Sequence, residues 1–382
     1  MNDIKEYLDH LLLTSTPEKP AWNKEAVREN KKAAWNYIDG CMIKAVLEMY
    51  TITEDKKYLK FADDFIDHYI DETGTILGYD IEDYNCDNVN EGKVLFPLFE
   101  ITGKEKYKKA IQNLYQQILA HPRTKEGSFW HKKIYPNQIW LDGLYMVQPF
   151  YMEYENKFNK NRNYKDIIHQ FENVNHLMKD PITNLFYHGY DESRESFWSD
   201  DETGRSKNFW TRSIGWYTMA LVDTIEAMDE QLFYEYDLLQ RYLRELLFAL
   251  QRVQDEKTKM FYQVTDQGER DGNYLETSGT CAIAYSFMKG ARLSYVPEYY
   301  FDYGKEIFNS VLEQKLVKED DTFVLKDICL VAGLGGMPGK GDYELRDGTY
   351  EYYISEPVVN DDAKGVAPFL LAFTEIYRQE NK

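Results

Sequence analysis

Six glycines head six apolar runs along this chain, and their recurrence limits the folds open to it. They are Gly40, Gly92, Gly143, Gly215, Gly279 and Gly365. Each has polar or acidic neighbours: Tyr37-Ile38-Asp39-Gly40, Asn88-Val89-Asn90-Glu91-Gly92, Trp140-Leu141-Asp142-Gly143, Arg212-Ser213-Ile214-Gly215, Thr277-Ser278-Gly279 and Asp362-Ala363-Lys364-Gly365. A recurrence of roughly 50 to 85 residues marks an internal repeat. Six like helix starts mean six like elements. Packed in parallel, they bring their N-terminal ends to one rim and gather Asp39, Asp87, Asp142, Arg212 and Asp362 around one cavity. Glycine at each start also permits the close helix approach that a tight inner ring needs. The polar neighbours then need an explanation of their own.

Between these runs lies a second set of helices with more charge. Asp55 to Ile70 places Tyr58, Phe61, Ala62, Phe65 and Tyr69 at helical spacing, and Glu105 to Leu119 does the same with Tyr107, Ala110, Ile111, Leu114 and Ile118. The segments Tyr164 to Met178, Leu238 to Val253 and Tyr299 to Leu316 continue the series, and Glu25 to Ala34 is expected to supply the sixth member. These are amphipathic, whereas the glycine-led runs are apolar almost all round and should be buried. The pattern predicts an all-α fold of six helical hairpins closed into a ring, an (α/α)6 barrel. Length alone, at 382 residues, suggests two or three domains. The repeat argues instead for one domain over residues 1–382.

The formal charge of −20 disfavours nucleic acid as a partner, because phosphate contacts need clustered Lys and Arg. No run approaches the apolar length of a membrane span, and the opening Met1-Asn2-Asp3-Ile4-Lys5-Glu6 lacks the basic and apolar regions of a signal peptide. A cytoplasmic protein is expected, with a monomer the favoured state. Cys41, Cys86, Cys281 and Cys329 form no CxxC pair, and no histidines are spaced as in HExxH, so neither a metal nor another cofactor is expected. The string Gly333-Leu334-Gly335-Gly336-Met337-Pro338-Gly339-Lys340-Gly341 is no phosphate loop, since its Lys is not followed by Ser or Thr. It reads as a flexible loop on the rim.

The links entering the glycine-led helices are long and aromatic, from Gly78 to Asp87, from Phe129 to Pro136 and from Tyr187 to Trp210. Links of that length are functional or disordered, and their aromatic content argues against disorder. They are expected to fold over the rim. Asp142 is the sharpest chemical candidate there. An N-cap role suits Asp but leaves Trp140 and Gln138 unexplained. A carboxyl beside Trp140, partly desolvated, suits a general acid, while the helix N-terminus favours the ionised form. Asp87 is the second candidate and is equally open to a capping role. Two carboxyls on adjacent inner helices are able to converge on one glycosidic bond. His131 and His188, near Trp130, Lys132 and Tyr187, read as sugar-hydroxyl contacts rather than metal ligands. Arg212, between Trp210 and Trp216, is suited to a substrate carboxylate, or to an ion pair with a rim Asp. Of the two indoles, Trp210 is the better candidate for stacking on a sugar.

The strings Gly127-Ser128-Phe129-Trp130-His131-Lys132, Asn137 to Gly143, Tyr187-His188-Gly189-Tyr190-Asp191, Asn208 to Trp216 and Tyr352-Tyr353-Ile354-Ser355-Glu356-Pro357-Val358-Val359 closely resemble the unsaturated rhamnogalacturonyl hydrolases, glycoside hydrolase family 105. The resemblance covers nearly the whole chain in motif order. It implies a six-hairpin barrel, a cytoplasmic enzyme without metal, Asp142 as general acid/base and Asp87 as a second active-site carboxylate. It also implies a pocket of His188, Trp210, Arg212 and Trp216, with Tyr37, His131, Lys132 and Trp140 as further members. The implied substrate is a pectin-derived oligosaccharide ending in an unsaturated uronic acid, the unsaturated galacturonyl-rhamnose disaccharide being the leading case. Three rivals stand beside this reading. An unsaturated glucuronyl hydrolase acting on glycosaminoglycan or algal fragments shares the barrel and the two-Asp plan. A sugar epimerase is expected to use paired His bases. A non-enzymatic carbohydrate-binding barrel has no need of Asp142.

Overall fold

The computed structural model describes residues 2–336 and 345–381. In chain order its helices are α1 (Asn2–Leu13), α2 (Lys24–Arg28), α3 (Tyr37–Thr53), α4 (Lys56–Asp67), α5 (Asp87–Asn90), α6 (Leu95–Thr102), α7 (Glu105–Ala120), α8 (Asp142–Phe158), α9 (Tyr164–Leu177), α10 (Thr211–Ala227), α11 (Phe233–Leu250), α12 (Thr277–Arg292), α13 (Tyr299–Lys315), α14 (Tyr350–Ser355) and α15 (Ala363–Glu380). A turn of 3-10 helix, Glu91–Val94, joins α5 to α6. Three two-stranded antiparallel ribbons decorate the loops. They are β1 (Gln138–Trp140) with β2 (Gly189–Asp191), β3 (Leu316–Glu319) with β4 (Thr322–Leu325), and β5 (Ile328–Cys329) with β6 (Val358–Val359).

The inner ring runs α3, α5–α6, α8, α10, α12, α15 and closes where α15 packs on α3. Three of its members are buried all round: every residue from Thr211 to Ile225, from Thr277 to Ala291 and from Ala363 to Ile376 is buried. The outer helices α4, α7, α9, α11 and α13 each pack on the inner helix they follow. They bury one stripe only, as α7 does with Tyr107, Ala110, Ile111, Leu114 and Ile118. Two expectations need correction. The stretch from Glu25 to Ala34 is not the sixth outer helix. Only Lys24–Arg28 is helical, it buries nothing, and Asn30 already has a left-handed φ of 49°. The amphipathic partner is α1, which buries Ile4, Tyr7, Leu8, Leu11 and Leu12. It is tied to the C-terminal region by Tyr7 donating to Asp361 at 2.7 Å and by Lys5 lying over the Tyr377 ring. The second inner element is also not one helix. Its 3-10 turn carries the buried Glu91, which accepts from the Asn36 amide at 2.9 Å and so staples this element to the start of α3.

The glycines do allow close approach. A Cβ on Gly40 would lie 2.5 Å from the Glu91 Cα, one on Gly215 2.9 Å from the Ala282 Cβ, and one on Gly279 2.8 Å from the Thr211 backbone. We expect Gly279→Ala to destabilise the protein by about 1–3 kcal/mol, because backbone rather than a movable side chain must give way. A lowered denaturation midpoint checks it, and an unchanged midpoint removes close packing as the reason for this glycine.

The long links do lie at the N-terminal ends of the inner helices. The glycine-rich loop begins there. Tyr352 accepts from the Gly333 amide at 2.9 Å and donates to the Gly333 carbonyl at 2.8 Å. Met337 to Gly341, expected as part of a flexible loop, lie outside the described residues.

Candidate active site

The rim residues fall into two groups by what their side chains hold. At α3, α12 and α15, Asn36, Glu276 and Asp362 accept from the first helical amides, as N-caps do. Asp39 is fully buried, accepting from the Trp22 indole at 2.8 Å and the Asn36 amide at 2.7 Å, and burial pushes its carboxyl up to about 7. Asp362 is also fully buried and pairs with Lys364 at 2.9 Å. Both were expected to border the cavity, yet both are engaged within the scaffold. Asp87 and Asp142 behave differently. Each stands as the first residue of its helix, after Cys86 and Leu141, and neither helix start has a side-chain cap.

The loops bring these two carboxyls into one recess. β1 pairs with β2 so that Trp140 faces Gly189, and the Leu141 amide donates to the His188 carbonyl at 2.9 Å. His188 thus arrives beside Asp142, with Nε2 3.4 Å from Oδ2. The same ribbon holds the next loop, because the His131 amide donates to the Gln138 carbonyl at 2.8 Å. That loop in turn holds the start of α5, where the Cys86 amide donates to the His131 carbonyl at 3.0 Å. Lys132 therefore reaches Asp87, Nζ to Oδ2, at 2.6 Å, and His131 Nε2 lies 3.6 Å from Oδ1. The His131 ring stacks on Trp140 at 4.5 Å between centroids, and Trp140 stacks in turn on Tyr135 at 4.8 Å. Gly143 leaves room for that imidazole, since a Cβ there would sit 3.2 Å from its Nδ1.

The surroundings of the two acids differ. Burial pushes the Asp87 carboxyl up, but the Lys132 ammonium and His131 outweigh it and hold the carboxyl below the usual range. Asp87 is therefore ionised at neutral pH and is no proton donor. Burial pushes the His131 imidazole down to about 4, so this ring is neutral. For Asp142, Oδ2 is sealed from solvent and forms no hydrogen bond, with His188 Nε2 3.4 Å away, which leaves Oδ1 as the more open oxygen. We expect Lys132→Met to move the acid limb of the pH–rate profile to higher pH. Burial of Asp87 then acts unopposed by the ammonium and raises its carboxyl. An unmoved limb means that Asp87 does not have to be ionised for turnover.

Arg212 is 2% exposed. Its guanidinium donates to the Cys329 carbonyl and, at 3.3 Å, to the Leu330 carbonyl, while its Nε has no partner. It lies over the Trp210 ring at 4.7 Å and forms no ion pair among the described residues, so the expected alternative of a rim Asp partner is not realised. Trp210 is itself 1% exposed and donates to Gln263 at 3.0 Å, with His188 against its ring at 4.7 Å. Trp216 is part of the core, its face covered by Tyr145 at 5.0 Å. Tyr37 is half-buried at the start of α3. Burial, then Glu25 and Asp87, raise its phenol. Gln263 and Tyr353 were missed as site residues. Gln263 ties Trp210 to the Tyr353 carbonyl, and Tyr353 meets His188 across 165 residues of chain, a pairing with no local sequence signal. Among the described residues no three His, Cys, Asp or Glu side chains gather in a metal-ligating cluster, and no helix is long and apolar enough to cross a membrane.

Comparison with known proteins fits this geometry. The profile of Glycosyl Hydrolase Family 88 matches residues 16–380. A family 105 glycoside hydrolase of solved structure from C. acetobutylicum is 44% identical, superposing over 98% of this chain and 99% of its own with a TM-score of 0.87. Protein Atu3128 of Agrobacterium fabrum is 36% identical over 236 residues, 60% of this chain and 97% of that one. The unsaturated rhamnogalacturonyl hydrolase YesR of Bacillus subtilis is 24% identical over 266 residues, 68% of this chain and 72% of its own. A helical ring with two uncapped rim carboxyls, matched over almost its whole length, belongs to glycosyl hydrolase family 88 with its family 105 kin, and the protein is a glycoside hydrolase.

Proposed function

We propose that the enzyme removes the terminal unsaturated galacturonyl residue from rhamnogalacturonan-derived oligosaccharides, with the unsaturated galacturonyl-rhamnose disaccharide as the leading substrate. The observation that carries this reading is the presence, at two inner-helix starts, of one carboxyl, Asp142, facing His188 at 3.4 Å, and a second, Asp87, paired with Lys132 at 2.6 Å. The motif resemblance along the chain and the similarity to YesR support the substrate class. The reading takes residues 1–382 as one catalytic domain acting in the cytoplasm without metal or cofactor.

The chemistry follows from the substrate. Its terminal ring carries a C4–C5 double bond conjugated with the ring oxygen, an enol ether. Asp142 gives its proton to C4, and the positive charge develops at C5 and the ring oxygen. The carboxylate of Asp87, ionised at neutral pH, is assigned the role of favouring that charge electrostatically. Water adds to C5, and Asp142 takes the proton that water releases. The hemiketal at C5 opens to a ketone, the former ring oxygen becomes a hydroxyl on C1, and C1 expels the neighbouring sugar as it becomes an aldehyde. One water is consumed and Asp142 ends protonated, as it began. No nucleophile attacks the anomeric carbon, so the carboxyl separations that distinguish retaining from inverting enzymes do not govern this site.

Elimination leaves C4 trigonal, so the stereochemistry that separates galacturonate from glucuronate at that carbon is erased. Discrimination between the two substrate classes therefore rests on the anomeric linkage and the leaving sugar. The deciding experiment is turnover of a panel of unsaturated disaccharides, with rhamnose, amino-sugar and glucose leaving groups, followed by loss of the enol-ether absorbance. Highest kcat/KM on the rhamnose-linked member is expected, unchanged by exhaustive chelation. Preference for an amino-sugar-linked member assigns the enzyme to glycosaminoglycan fragments instead.

A further inference from the structure

We propose that Tyr353 is a positioning residue that fixes the tautomer of His188 and, through it, decides which oxygen of Asp142 carries the reacting proton. The inference rests on the reading of Asp142 as the acid/base. The Tyr353 hydroxyl oxygen lies 2.7 Å from His188 Nδ1, and both side chains are fully buried. On the other side of the ring, Nε2 and Asp142 Oδ2 face each other at 3.4 Å, both sealed from solvent.

Between the two neutral tautomers, counting donors and acceptors selects one. A neutral imidazole has one N–H and one lone pair. With the proton on Nε2, Tyr353 donates its O–H to Nδ1, and the Nε2–H dipole faces Oδ2 at 3.4 Å, a favourable electrostatic contact although the two atoms form no hydrogen bond in this geometry. With the proton on Nδ1, the phenol hydrogen has no acceptor among the described residues and the Nε2 lone pair faces a carboxylate lone pair. A buried donor left unmade costs the full desolvation of that group. Tyr353 therefore enforces Nε2–H. The consequence reaches the chemistry: Oδ2 faces the His188 N–H and is sealed from solvent, so the proton exchanged with C4 and with water is carried on Oδ1.

Tyr353 is well held for this task. It stands in α14, and its backbone carbonyl accepts from Gln263 Nε2 at 3.0 Å. The same Gln263 accepts from the Trp210 indole at 3.0 Å, and its Nε2 lies 3.2 Å from Cys329 Sγ, on the residue whose carbonyl receives Arg212. One buried amide thus ties the His188 arm to the Arg212 arm.

The test is ¹⁵N NMR of histidine-labelled enzyme, His188 being assigned with His188→Gln, together with kinetics of Tyr353→Phe on the unsaturated galacturonyl-rhamnose disaccharide. In the wild type His188 is expected to show a protonated Nε2 and a bare, hydrogen-bonded Nδ1. In Tyr353→Phe we expect mixed tautomers and kcat lowered about tenfold, with KM within about twofold and the melting temperature within a few degrees. A protonated Nδ1 in the wild type overturns the proposal whatever the variant does. So does Tyr353→Phe with unchanged kcat, or with lowered kcat and an unchanged single tautomer. A wild-type enzyme inactive on every unsaturated uronide overturns the role of Asp142, while the tautomer measurement still decides the Tyr353–His188 bond.

Discussion

Asp142→Asn is expected to fold as the wild type does and to lose turnover by about 10²- to 10⁴-fold, the range that a positioned general acid/base supplies. Folding is spared because the side chain caps nothing: Leu141 occupies the cap position, and no side-chain cap bond forms there. What is lost at the helix start is a negative charge near the positive end of the dipole, about 0.3–1 kcal/mol. The amide oxygen of Asn keeps the place of Oδ2 opposite His188 Nε2. It brings no exchangeable acid proton to C4, however, and cannot take one from water. Asp87 does not substitute, because Lys132 at 2.6 Å keeps it ionised. Turnover and thermal denaturation of the same preparation check both halves. A rate near wild type removes Asp142 as the acid/base, and a collapsed midpoint means that its role is structural.

The ring was legible because its cause is local and repeated. Burial on all sides demands apolar residues on all sides, and close backbone approach demands glycine, so both leave marks in sequence. The outer helices were equally plain: Glu105 to Leu119 was expected and Glu105–Ala120 is found. The closing helix was misplaced because closure is long-range. Nothing in the amphipathic stripe of α1 says that it meets Asp361 and Tyr377 at the far end of the chain. The site was half legible for the same reason. Asp39, Asp87, Asp142 and Asp362 look alike beside their glycines, and only their partners separate them. Asp39 is taken by Trp22 and Asn36, and Asp362 by Lys364 and the first amides of α15, while Asp87 and Asp142 stay free of such duties. The paired indoles mislead in a similar way. Trp216 is set in the core against Tyr145, and Trp210 supports Arg212 and His188 rather than offering an open face.

Replacing Arg212 with Met is expected to raise KM strongly for an unsaturated uronate and little for its methyl ester. The substrate carboxylate must enter a recess that already holds Asp87 and Asp142, where burial and repulsion both act against it. A cation with no carboxylate in direct contact is the group to receive it. Arg212 fits, being buried with two carbonyl acceptors, an orphaned Nε and no carboxylate partner among the described residues. The charge of this guanidinium is favoured at a distance by Glu276 and Asp362, but its Nε donor is unused, and an entering carboxylate engages it through charge-assisted hydrogen bonds. Met keeps an aliphatic stem over Trp210 and removes only the charge and the donors. Truncating one partner of a buried, hydrogen-bonded charge pair costs about 2 to 5 kcal/mol, roughly thirty- to several-thousand-fold in affinity at 1.4 kcal/mol per factor of ten. The ester carries no charge to lose and should weaken far less. The comparison matters because Arg212 also clamps the β5 end through Cys329 and Leu330, and a loosened clamp would impair both substrates. If acid and ester weaken equally, Arg212 is that clamp, and Lys132 becomes the residue to test for the carboxylate.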